Sequence, residues 1–100
     1  MTLKITKGHD AIVAHMSGSL DTLAAEQIEP QVEELEALTA QPITIDCTDL
    51  AYIASSGLRL FIRLRKAAFT HGQKITLKGV NANVMEVLRI TNFDKMFVIE

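Results

Sequence analysis

Pro42-Ile43-Thr44-Ile45-Asp46-Cys47-Thr48-Asp49-Leu50-Ala51-Tyr52-Ile53-Ala54-Ser55-Ser56-Gly57-Leu58 holds the turn on which the fold depends. Residues 42–47 read as a short strand, with Pro42 at its first position, where a missing donor is tolerated. Residues 48–58 read as a loop that delivers two serines and a glycine to the start of a helix. That helix is expected over 55–71. Leu60, Phe61, Leu64, Ala67 and Ala68 recur at helical spacing and face inward, while Arg59, Arg63 and Lys66 face outward. Gly72 is a natural residue to stop it.

Working outward, residues 2–6 and 11–17 read as two strands joined by the turn Lys7-Gly8-His9-Asp10, an antiparallel pair. Gly18-Ser19-Leu20-Asp21 then leads to a helix over 22–38, whose stripe is Ala24, Ile28, Val32, Leu35 and Leu38. Pro30 lacks an N–H and predicts a kink or a fresh helical start. Glu26, Glu29, Glu33, Glu34 and Glu36 leave the stripe and are assigned to solvation. Downstream, residues 74–78 alternate cleanly as a strand, and Asn81 can cap a third helix carrying Val84, Val87 and Leu88. Asn92 ends that helix by taking a left-handed conformation, and Phe97-Val98-Ile99 adds a last strand or a docked tail. Strands alternating with helices imply right-handed crossovers. The expected architecture is α/β: a mixed, mostly parallel sheet of four to five strands with an N-terminal antiparallel hairpin and three to four helices. One domain spans residues 1–100.

Apolar residues make up 48% of the 100, enough for a real core. A net charge of −2 gives no general positive field for nucleic acid. Cys47, the only cysteine, allows neither an intrachain disulfide nor a cysteine-based metal cage. Residues 1–19 lack the continuous apolar core of a signal peptide, and no run suits a membrane-spanning helix. The expectation is a cytoplasmic protein without membrane insertion.

Two serines at a helix start can cap its free amides, and the same end of the helix favours an added phosphate. A serine hydrolase would need a base, an orienting acid and an oxyanion hole. Neither serine lies in Gly-x-Ser-x-Gly, and His9, His15 and His71 fall in a turn, a strand and a helix end. No metal-ligand spacing or phosphate-cradling glycine loop is present, so no enzyme activity and no cofactor are expected. Arg59, Arg63 and Lys66 share one helical face, which suits an acidic protein partner or equally a solvated surface.

The run Ile45 to Leu58 resembles the signature loop of the STAS family, in which a strand leads to Asp-Ser-Ser-Gly-Leu. Gly18-Ser19-Leu20-Asp21 is similar to that family's Gly-x-Leu-Asp landmark, and the later landmarks near Gly79 and Asn92 follow in order. The resemblance covers essentially the whole chain and is nearest to the anti-sigma-factor antagonists. It implies a non-catalytic module that binds an anti-sigma factor with serine kinase activity and is released on phosphorylation of Ser55. A PP2C-type phosphatase would reset it. The residues implied in partner contact are Asp21, Ala54, Ser55, Ser56 and Gly57, joined by Arg59 and Arg63 of the basic strip. Ala54 stands where many phosphorylated members carry Asp. That departure favours the alternative the family also implies, an accessory subunit docked on the ATPase of a lipid-transporting membrane system and not switched by phosphate.

Overall fold

The computed structural model describes residues 1–100. Its elements are β1 (Thr2–Lys7), β2 (Ile12–Leu20), α1 (Thr22–Gln27), α2 (Glu29–Ala37), β3 (Ile43–Ile53), α3 (Ser55–Phe69), β4 (Ile75–Lys78), α4 (Ala82–Ile90) and β5 (Val98–Ile99). A 3-10 turn, Phe93–Lys95, precedes β5. The five strands lie side by side in chain order, β1 antiparallel to β2 and the others parallel. The α/β class and the opening hairpin are as the sequence implies.

Because the parallel strands follow one another without reversal, every right-handed crossover puts its helix on the same face of the sheet. The covered face is built from rows of aliphatic partners: Ile12, Ile43 and Ile75 form one row, and Ala14, Ile45 and Leu77 the next. All six are buried, within one core cluster of 25 residues. The other face is bare. Lys4, His15, Asp46 and Lys78 form a polar row across four strands there. Parallel sheets are usually covered on both sides, so this one shows the alternation of a half-solvated sheet.

The third strand corrects the sequence reading. It starts at Ile43, after Pro42, and runs to Ile53 where a loop from Thr48 was expected. Pro42 instead offers its carbonyl to the Ile12 amide at 2.9 Å. The pairing of β2 with β3 slips between His15 and Ser17 and again between Gly18 and Ser19. The buried residues of β3 are therefore Ile43, Ile45, Cys47, Leu50 and Ile53, and the two steps of three break the alternation. β2 likewise continues to Leu20, with Gly18 at φ 99°, a conformation glycine adopts without steric cost.

Pro30 marks a fresh start. Ile28 ends α1 and begins α2, with Pro30 in the first turn of α2, where its missing N–H has no partner to lose. The assignment of the α2 glutamates to solvation is corrected for two of them. Arg63 of α3 donates to Glu29 and, at 2.7 Å, to Glu36, so one guanidinium clips α3 to α2. Those two acceptors, Glu36 first, hold Arg63 above the ordinary arginine value. Asn92 sits at φ 61°, as its role at the end of α4 requires.

α3 begins directly on the sheet. A Cβ at Gly57 would lie 2.6 Å from Leu20 Cγ and 2.9 Å from Ile53 Cγ1. In Gly57→Ala, better helix propensity contributes up to about 1 kcal/mol. Overpacking of a fixed contact costs about 1–3 kcal/mol. A net loss of about 1–2 kcal/mol is expected, read as a lower urea midpoint with an unchanged m-value.

On the bare face, Asp46 Oδ1 accepts the Thr48 hydroxyl at 2.6 Å and the Thr48 N–H at 3.1 Å, while Oδ2 meets His15 Nδ1 at 3.1 Å. These contacts, the Thr48 hydroxyl foremost, hold the carboxyl below its ordinary value of 3.8. A carboxyl depressed by folding stabilises the protein above its unfolded value, and that contribution is lost as pH falls through the folded value. Asp46→Asn should therefore lower the urea midpoint near neutral pH and show a shallower decline below about pH 4, measured in stepped-pH unfolding curves.

Candidate functional site

The carboxyl ends of β2 and β3 pair at Leu20 and Ile53. The chain leaves β2 through Asp21 and leaves β3 through Ala54, and the Ala54 amide donates to the Leu20 carbonyl at 2.9 Å. Two helix starts, α1 and α3, are thereby held next to each other. Asp21 caps α1, its Oδ1 accepting the Ala24 amide at 2.8 Å. Its nearest task is thus structural.

At α3 the cap differs from the sequence expectation. The capping residue is Ala54, in extended conformation, with no side chain to offer. Neither serine caps the helix. Gly57 and Leu58 donate back to the Ala54 carbonyl at 3.0 and 3.1 Å, and the amides of Ser55 and Ser56 lie in the first turn, outside the helical ladder. An acidic oxygen placed there meets free N–H groups and the positive end of a 15-residue helix.

The two serines have different surroundings. Ser56 is half-buried, and its Oγ lies 2.9 Å from Thr22 Oγ1 of α1. Ser55 is exposed, and its hydroxyl is engaged by no side chain. The Thr22–Ser56 bond closes the gap between the two helix starts and leaves Ser55 as the projecting hydroxyl.

Ser55 borders a groove of about 590 Å³ that runs from α3 toward the end of α4, with Leu58, Ile62 and Phe93 along its walls and Arg59 and Lys66 on its rim. A smaller hollow of about 320 Å³ lies on the other side of Ser56, between α1 and α3, with Thr22 and Arg59 among its residues. Arg59 borders both. The three cations of the basic strip are unequal: Arg63 is committed to Glu29 and Glu36, while Arg59 and Lys66 are in no ion pair. Leu23 and Tyr52, 63% and 52% exposed, stand on the same end of the sheet.

The structure thus brings Asp21, Ala54, Ser55, Ser56, Gly57 and Arg59 to one rim, and Arg63, which also lines the groove, has its charge committed to Glu29 and Glu36. Thr22, Leu23, Tyr52 and Phe93 join this rim without having been singled out in the sequence. Thr22 read only as a helix start and Tyr52 as a loop residue. No group of three potential metal ligands occurs, and no helix is long and apolar enough to cross a membrane.

Comparison with solved structures places this fold among anti-sigma-factor antagonists. An anti-sigma factor antagonist from Mycobacterium paratuberculosis superposes with a TM-score of 0.85 at 18% identity, covering 98% of this chain and 83% of that one. An anti-sigma-factor antagonist (STAS) domain protein from Planctomyces limnophilus gives 0.84 at 20% identity, over 98% and 87%. The Bacillus cell fate determinant SpoIIAA in its phosphorylated form gives 0.74 at 17% identity, over 99% and 91%. At these identities the likeness is one of fold. The STAS domain family model matches residues 2–100, so sequence and structure agree that this chain belongs to the STAS domain family.

Proposed function

We propose that the chain is an anti-sigma factor antagonist, a non-catalytic module that docks on an anti-sigma factor with serine kinase activity and leaves it when Ser55 is phosphorylated. The observation that carries this reading is the exposed Ser55 hydroxyl at the first turn of α3, on the lip of an apolar groove with unpaired cations. That a fold relative has been solved in a phosphorylated form is in keeping with it.

The groove and its neighbours Leu23 and Tyr52 supply apolar area for a partner, and Arg59 and Lys66 suit acidic groups on it. A phosphate on Ser55 would add roughly −1.5 to −2 charge to the middle of that contact. Desolvating it against a docked protein easily exceeds the ~2.7 kcal/mol that a hundredfold loss of affinity requires. In the released domain the same group is stabilised by the Ser55 and Ser56 amides and by Arg59, one helical turn along. The fold need not change. A PP2C-type phosphatase would restore the hydroxyl.

Ala54 supports a second reading. It gives the turn no carboxylate beside Ser55, in keeping with an accessory subunit held permanently on a transporter ATPase by the same rim.

Incubation with a GHKL-type anti-sigma kinase and ATP, followed by mass spectrometry, should add one phosphate at Ser55 and none in Ser55→Ala. Ser55→Glu should weaken kinase binding about a hundredfold with an unshifted Tm. Phosphorylation elsewhere, or none, would leave the transporter reading.

Thr22→Val removes the hydroxyl that holds Ser56. The phosphate should then divide between Ser55 and Ser56 in peptide mapping. Labelling confined to Ser55 in the variant would show that the Thr22–Ser56 bond has no part in the choice.

A further inference from the structure

At the far end of α3 lies a second concave surface. Fourteen residues separate Ser55 from Phe69, which at 1.5 Å per residue is about 21 Å along the helix. Here Phe69, Met96 and Val98 are 74%, 38% and 39% exposed. They border a cleft of about 240 Å³ whose other residues include Arg65, Lys74 and Lys95 and no acid.

Solvation alone does not account for this cluster. Phe69 is the last residue of α3 and leaves most of its ring in water, although α3 buries six other residues. Arg65 Nε donates to the Met96 carbonyl at 3.0 Å, which ties the α3 surface to the segment entering β5. None of the three cations is in an ion pair, in contrast to Arg63 two residues from Arg65. β5, the outermost strand, is two residues long, so the main-chain groups of about one residue face away from β4 and are free to pair.

We infer that this cleft is a second protein-docking site, which takes an extended acidic segment of a partner carrying one bulky apolar side chain. The apolar side chain would enter between Phe69 and Met96, and carboxylates on alternate residues would meet Lys74 and Lys95. The segment's backbone would extend the sheet beside β5, so hydrogen bonding gives affinity and the pocket gives selectivity. Two features argue against an anionic membrane as the occupant. The surface is concave, and the chain's net charge of −2 opposes approach to a negative bilayer. The site is independent of the state of Ser55, so one partner can be held here while another is exchanged at the opposite end.

A short fluorescein-labelled peptide that alternates glutamate with valine around one central phenylalanine serves as the probe, with fluorescence anisotropy as the readout. Saturable binding is expected, weakened at least about tenfold in the double variant Lys74→Glu/Lys95→Glu and in Phe69→Ser. It should be unchanged in Ser55→Glu, which separates this site from the proposed switch. Lys74 and Lys95 are exposed or half-exposed, so the charge-reversed protein should keep its circular dichroism spectrum and remain informative if Phe69→Ser fails to fold. Equal binding of a lysine-for-glutamate peptide, retained binding in the charge-reversed protein, or loss in Ser55→Glu would overturn the proposal. So would preferential binding to phosphatidylglycerol vesicles, or dimerisation through Phe69 seen in sedimentation.

Discussion

The contact between Gly57 and the ends of two strands organises this molecule. A hydrogen atom in place of a side chain lets α3 settle onto Leu20 and Ile53, and the Ala54 amide fastens the junction to the Leu20 carbonyl. The outgoing chain of β2 and that of β3 must therefore start their helices side by side. Asp21 and Thr22 belong to one start, Ser55 and Ser56 to the other, and the hydroxyl–hydroxyl bond between them follows from that placement. The backbone that carries Ser55 is fixed in this way, so its projecting hydroxyl faces a partner from a rigid seat, which limits the conformational entropy lost on docking.

Charge is distributed with similar economy. α2 offers Glu29 and Glu36 seven residues apart, on the face it turns to α3, and a single arginine engages both. Individual exposed pairs contribute about 0–1 kcal/mol, so the clip orients the helices more than it stabilises the fold. Its larger consequence is selective: Arg59, Arg63 and Lys66 read as one basic stripe, yet within it only Arg59 and Lys66 keep their charge available to a partner.

Sequence was a good guide wherever one periodicity governed one element. The stripes of α2, α3 and α4, the alternation of β4, and the punctuation by Pro30, Gly72 and Asn92 all carried through. It misled where two strands slip past each other. After Cys47 the buried positions of β3 step by three, which breaks the alternation of a strand, and half of the longest strand looked like a loop. The motif around Ser55 was legible because it is contiguous. Thr22 and Phe93 were not, since each reaches the rim through crossovers that bring together residues about 30 or more positions apart. Arg63 shows the converse. Its helical face was read correctly, but the carboxylates that engage it lie on another helix, and no local pattern announces them.

Cys47 carries a consequence of the one-sided core. Its side chain points into the covered face at the centre of the sheet, and burial, helped by the neighbouring Asp46, pushes its thiol up to about 12. At neutral pH the sulfur is held as the unreactive thiol and is walled off from solvent. Alkylating reagents can reach this sulfur only when the sheet parts from its helices. The lone thiol is therefore a native gauge of breathing motions, whose capture rate counts opening events without any added label.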